Sequence, residues 1–207
     1  MRYRRHLPHW FPPGTAIFLT WRLHGSIPIR VLERLSAEPQ KPNARAFKLL
    51  DEELDRGLHG PHWLADSQVA DSVSERIQRH ADTLRHYDLH AYVLMSHHVH
   101  ILITPRISVP RVMDALKTRT ARRANEILGR TGMKFWHNES FDRWCRHAGE
   151  FHLVRLYIEN NPVKAGLVRS AEEWPWSSAC KTACRAGCPP TNGSPTDADD
   201  GPGDEIW

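Results

Sequence analysis

LHAYVLMSHHVHILITP, residues 89–105, is two apolar runs, Leu89–Met95 and Val99–Thr104, on either side of a polar break at Ser96-His97. Branched and aromatic runs of this length joined by so short a break read as a β-hairpin, which Pro105 ends. Side chains alternate along a strand, so His98 and His100 share one face and both imidazoles reach a single metal ion. His97 falls on the other face or in the turn and reads as structural.

Working outward, Pro12-Pro13-Gly14 is a turn signal and Ala16 to Leu23 (AIFLTWRL) a first strand. A short helical pattern runs from Ile29 to Leu35. Residues 36–44 read as a loop. Ala44 to Leu58 reads as a helix, with Phe47, Leu50 and Leu54 at helical spacing. Asp66 to Arg85 is a further helix that turns Val69, Val73, Ile77 and Leu84 to the core. After the hairpin, Ser108 and Pro110 open a long helix to Leu128, with a stripe of Val112, Leu116, Thr120, Ala124, Ile127 and Leu128. Phe135-Trp136 and Phe141–Trp144 are short extended segments. A last helix spans Glu150 to Asn160, stopped by Pro162, so that Asn161 sits at its frayed end. The pattern is that of an α+β domain, an antiparallel sheet with helices packed against it.

The 207 residues suit one domain plus a tail. Residues 1–180 form the domain. Residues 181–207 are rich in Pro, Gly, Thr and Asp and read as a disordered acidic tail. Without that tail, 26 of the 28 basic and 19 of the 24 acidic side chains remain, a formal +7. A basic domain favours an anionic partner, nucleic acid being the usual one. No stretch approaches the ~20 apolar residues needed to span a bilayer. Arg2, Arg4 and Arg5 are not followed by the apolar run of a signal peptide, so a cytoplasmic protein with no membrane partner is expected. Cys145 stands alone, and Cys180, Cys184 and Cys188 match no common zinc or disulfide spacing, so they read as reduced thiols.

Tyr157 and Asn161 are one helical turn apart and point the same way. A two-histidine metal site facing a tyrosine hydroxyl and an amide oxygen is equipment for cutting a phosphodiester with tyrosine as nucleophile. An unperturbed tyrosine has a pKa near 10, so its hydroxyl needs a metal-polarised phosphate, a base, or both. The plainer alternatives stay open: a tyrosine among Leu153, Val154, Leu156 and Ile158 is by default a core residue, and Asn161 an ordinary helix end. The basic face of the long helix (Lys117, Arg119, Arg122, Arg123) is either solvated or a phosphate-tracking surface. Six tryptophans, Trp10, Trp21, Trp136, Trp144, Trp174 and Trp176, are either core residues or platforms for unpaired bases.

Taken together, LPHWFPPGTAIFLTWRL (7–23), LHAYVLMSHHVHILITP (89–105), GRTGMKFWHNESFDRW (129–144), YIENNPVKAGLV (157–168) and WPWSS (174–178) resemble the REP-associated tyrosine transposases. These are relatives of the single-tyrosine insertion-sequence transposases in the HUH nuclease superfamily. The resemblance runs from about Arg5 to Ser178. It implies a ferredoxin-like antiparallel sheet with flanking helices and a divalent cation, Mg²⁺ or Mn²⁺. His98 and His100 match the metal-binding histidines, Tyr157 the nucleophile, and Asn161 the third ligand candidate. It further implies cutting and transfer of single-stranded DNA at hairpin repeats through a 5′-phosphotyrosine link, by a monomer or a homodimer. Arg4, Arg5 and the basic helix face would position the strand. Ser96-His97 stands where the family usually has Pro-Asn, and the acidic tail has no counterpart in it. The rival expectation is a catalytically silent protein that binds hairpin DNA and regulates. A third is an RNA-binding or RNA-cleaving domain on a similar sheet.

Overall fold

The computed structural model describes residues 12–28, 30, 31, 33, 51–54 and 59–180. The arm with Arg4 and Arg5, the tail from Lys181 and most of the two helical patterns between 29 and 58 lie outside these residues. Four strands, β1 (Ile17–Leu23), β2 (Tyr87–Leu94), β3 (His98–Pro105) and β4 (Trp136–Trp144), form one sheet in the order β2-β3-β1-β4. All pairings are antiparallel. Helix α1 (Ser67–Asp82) connects β1 to β2, and α2 (Val109–Ile127) connects β3 to β4. Two such split crossovers around a central β1–β3 pair are the ferredoxin-like topology, as the resemblance implied. The third helix, α3 (Ala148–Lys164), follows β4.

The alternation of β1 and β3 sorts the two faces. Ile17, Leu19, Trp21 and Leu23 with Val99, Ile101 and Ile103 face α1 and α2 and make the larger core. Phe18 and Leu102 face the other way and pack with Ala91, Val93, Val154 and Ile158 under α3. Each fully buried aliphatic side chain here is worth about 1.5–3 kcal/mol. The strands carry apolar residues on both faces because both are covered.

Local signals explain the element ends. Asp66 caps α1, its carboxylate accepting from the Gln68 and Val69 amides at 2.9 and 3.1 Å. The His147 side chain caps α3 by accepting from the Glu150 amide, and the Glu150 carboxylate accepts from the Arg146 amide and pairs with Arg143. Ser108 stands at the N-cap of α2 but makes no side-chain capping bond.

Several boundaries differ from the sequence reading. Residues 136–144 form one strand rather than two short extended segments, because β1 offers a free edge along most of its length. Helix α1 ends at Asp82, which leaves Leu84 in a turn and 42% exposed instead of in the core. Helix α3 runs through Pro162 to Lys164. The proline lacks only its own amide bond near the end of the helix, and the next turn closes with Ala165 N–H donating to the Asn161 carbonyl. Asn161 is therefore a helical, buried residue, not a frayed one.

Gly60 has a φ of +82°, and a Cβ there would meet backbone of the turn after β1, including Ser26 Cα at 2.6 Å. All of these contacts are with backbone, so none can relax by a side-chain rotation. Gly60→Ala is expected to lower stability by about 2 kcal/mol or more, read as a shift in the urea midpoint at unchanged slope.

Candidate active site and metal centre

Strand β3 lies between β2 and β1, and its α3-facing side carries His98, His100 and Leu102. Across the ladder, His100 is opposite Thr20 and His98 opposite Arg22. His98 and His100 are fully buried. Their Nε2 atoms face each other at 3.0 Å. The Asp51 carboxylate, itself buried, comes within 3.4 Å of His100 Nε2, and one donor atom from each of the three side chains falls within 4.8 Å of the others. Burial pushes the imidazolium form of both histidines down, that of His100 to about 3, with the Lys164 cation adding to the effect. Both rings are therefore neutral at pH 7, the form that ligates metal.

The outward nitrogens are also held. His100 Nδ1 lies 2.7 Å from the Thr20 hydroxyl, which can donate or accept. His98 Nδ1 lies 3.2 Å from His97 Nδ1. Each ring is thus oriented by a second group, as metal-binding histidines regularly are.

Helix α3 brings Tyr157 over the pair. Its ring is edge-on to His100 at 5.7 Å and to Phe18 at 6.1 Å between centroids. The ring is half-buried and the hydroxyl oxygen buried. Lys164, on the same helical face, holds its ammonium 5.6 Å from the centre of that ring. Asn161, one turn after Tyr157, is 1% exposed, and neither its Oδ1 nor its Nδ2 has a hydrogen-bond partner among the described residues. An amide buried in this way costs free energy unless something unseen engages it.

These residues fit a divalent cation. Two ligands set at a right angle about an ion at 2.0–2.1 Å stand about 3 Å apart, which is the separation of the two Nε2 atoms. Two neutral imidazoles and a carboxylate make a mixed nitrogen–oxygen donor set suited to a first-row divalent metal.

Asp51 was not legible as a site residue from the sequence. It is one of 24 acidic side chains and lies far from the histidines along the chain. Lys164 was legible in principle, being seven residues after Tyr157 and so on the same helical face. Thr20 is visible only through the β1–β3 register.

The basic helix face does not join the site. Helix α2 packs on the opposite side of the sheet from His98 and His100. The Lys117 ammonium donates to the carbonyls of His137, Asn138 and Glu139 at 3.0–3.2 Å, which uses its three protons to hold the start of β4. Arg122 and Arg123 are exposed and pair with Glu126, and with Arg119 they line a cleft of about 670 Å³ between α1 and α2. Of the tryptophans, Trp21 and Trp136 are core residues. Trp174 and Trp176 donate to the Leu94 carbonyl and the Asp71 carboxylate, fastening residues 174–178 along β2. Trp144 is partly exposed.

Comparison with known proteins agrees with this geometry. Residues 62–161 match the family model described as Transposase IS200 like, a span that holds both histidines, Tyr157 and Asn161. The REP-associated tyrosine transposase of Escherichia coli (strain K12) is 22% identical over 139 residues, covering 62% of this chain and 82% of the relative. A solved structure of the REP-associated tyrosine transposase bound to a REP hairpin aligns over 98% of this chain and 97% of its own, with a TM-score of 0.53 at 18% identity, and so shares the fold. Family model, relative and fold agree: residues 62–161 are those of an IS200-like transposase, and the chain is similar to the REP-associated tyrosine transposases.

Proposed function

We propose that this protein is a transposase, a metal-dependent endonuclease and strand transferase acting on single-stranded DNA at hairpin repeats, with Tyr157 as nucleophile. The observation that carries the reading is the Tyr157 ring against His100, in a chain whose two histidine Nε2 atoms face each other beside a buried carboxylate. His98, His100 and Asp51 would hold Mg²⁺ or Mn²⁺, with Asn161 adding an amide oxygen. When bound, the cation offsets the negative charge of the scissile phosphate.

The Tyr157 oxygen attacks phosphorus in line. The bond to the 3′-oxygen breaks, the tyrosine proton is lost, and the departing 3′-oxygen takes one up. The product is a 5′-phosphotyrosine link and a free 3′-hydroxyl. Attack on that link by a 3′-hydroxyl from another DNA end restores Tyr157 and joins the strands without external energy. Lys164 adds a second positive charge on the side from which a phosphate meets Tyr157. The exposed Arg119, Arg122 and Arg123, with Arg4 and Arg5 of the N-terminal arm, would track the DNA backbone away from the reacting bond. Histidines and tyrosine come from one chain, so a monomer carries a full constellation, although a homodimer would serve as well. No helix among the described residues is long and apolar enough to cross a membrane. DNA as substrate puts the work in the cytoplasm.

Cleavage polarity tests the reading. On a labelled hairpin oligonucleotide with Mn²⁺, the released fragment should be extendable by a polymerase from its 3′ end, while the other resists 5′ exonuclease. A 3′-phosphate on the released fragment would rule out the scheme. The two candidate oxygen ligands separate by substitution. Asp51→Asn and Asn161→Ala should each weaken Mn²⁺ binding by about tenfold or more in a titration. Unchanged affinity in either variant removes that residue from the ligand set.

The buried Tyr157 hydroxyl favours a second reading, a silent hairpin-binding regulator. Under it the protein binds hairpins, makes no covalent adduct with any of them, and does so equally well with Phe at position 157.

A further inference from the structure

The residue ahead of the histidine pair does more than shape a turn. His97 is buried, and its Nε2 lies 2.6 Å from the Leu54 carbonyl oxygen, a group that can only accept. A neutral imidazole has one N–H, and the Leu54 carbonyl holds it on Nε2. Its Nδ1 is then an acceptor, with the Ser96 hydroxyl at 3.4 Å and His98 Nδ1 at 3.2 Å as the groups that can donate to it. His98 Nδ1 is the nearer of the two, and as donor it leaves His98 a lone pair on Nε2, the atom turned toward His100. Thr20 lacks this power over His100, because a hydroxyl serves either tautomer.

We propose that His97 is a positioning residue that fixes the Nδ1–H tautomer of His98 through a relay starting at the Leu54 carbonyl. Leu54 and Asp51 lie in the same helical stretch, 51–54. One turn of chain therefore sets the proton of one histidine and brings a carboxylate to the other. Seating that turn leaves the lone pair on His98 Nε2 and sets the Asp51 carboxylate beside His100. The sequence pairs His97 with the site only as a neighbour; the relay is visible in the fold alone.

The ligand role of His98 rests on the metal-site reading given above, but the tautomer does not, and the test keeps the two apart. In metal-free protein labelled with ¹⁵N-histidine, NMR nitrogen shifts report which ring nitrogen of His98 is protonated. The expected result is Nδ1–H in the parent protein, a shift to Nε2–H or a mixture in His97→Leu, and return to Nδ1–H in His97→Asn, whose Oδ1 can accept in place of the ring nitrogen. Mn²⁺ affinity should follow the tautomer, falling 10–100-fold in His97→Leu and recovering in His97→Asn. An Nε2–H tautomer of His98 in the parent protein overturns the proposal whatever the variants do. So does an unaltered Nδ1–H tautomer in a folded His97→Leu protein. Expected tautomers in all three proteins with no Mn²⁺ binding in any would uphold the relay and defeat the metal-site reading instead.

Discussion

Tyr157→Phe should leave a folded, hairpin-binding protein that forms no covalent DNA adduct and cleaves at least about 10⁴-fold more slowly than the parent. The phenyl ring keeps its edge contacts with His100 and Phe18, at 5.7 and 6.1 Å, so the fold loses little. What disappears is the only atom on that ring able to attack phosphorus. Removing a covalent nucleophile typically leaves only the contribution of binding and charge, which accounts for the size of the drop. Hairpin affinity, read by gel shift in EDTA, should stay within about twofold. Equal cleavage by the two proteins would mean that water or another side chain attacks, and Tyr157 would revert to a core residue.

The second large effect concerns the histidine pair. His100→Gln keeps most of the volume and some polarity but removes the imidazole that lies 3.0 Å from His98 and 3.4 Å from Asp51. Mn²⁺ binding should fall on the order of 10²-fold or more, and cleavage with it, because a directional nitrogen ligand is lost from the centre of the site. His80 provides the control. It is a buried histidine on α1, close to His86 and facing away from the site, and its pKa is also lowered to about 4, chiefly by burial. His80→Gln should affect stability alone. Equal loss of metal in both variants would point to unfolding rather than ligation.

Much of this was legible in the chain because a few signals are local. The hairpin read from Leu89–Met95 and Val99–Thr104 falls within two residues of β2 and β3. Period-two alternation put His98 and His100 on one face, and the helical period put Tyr157 and Asn161 on another. That these two faces meet depends on α3 covering the side of the sheet that α1 and α2 leave free, which tertiary packing decides. Asp51 lies outside any local pattern: its approach to His100 at 3.4 Å is a tertiary contact between residues 49 positions apart. Pro162 misled for a related reason. Local sterics favour a helix end before a proline, yet the packing of Ile158 and Val154 on Phe18 and Leu102 holds the helix through it. The contacts of Lys117 were not legible because charge says nothing of geometry, and a lysine on a basic face is well suited to binding three carbonyls of its own chain.

The proposed reaction turns on Tyr157 becoming covalently joined to DNA at a metal-dependent site. The most direct measurement is mass spectrometry of the protein–DNA adduct, trapped on a hairpin oligonucleotide from the host's own repeats, with Mn²⁺ or with EDTA. An adduct is expected only with Mn²⁺, carrying a 5′-phosphorylated fragment on the peptide that contains Tyr157. Attachment at another residue, equal yield in EDTA, or hairpin binding with no adduct across a panel of repeats would contradict it.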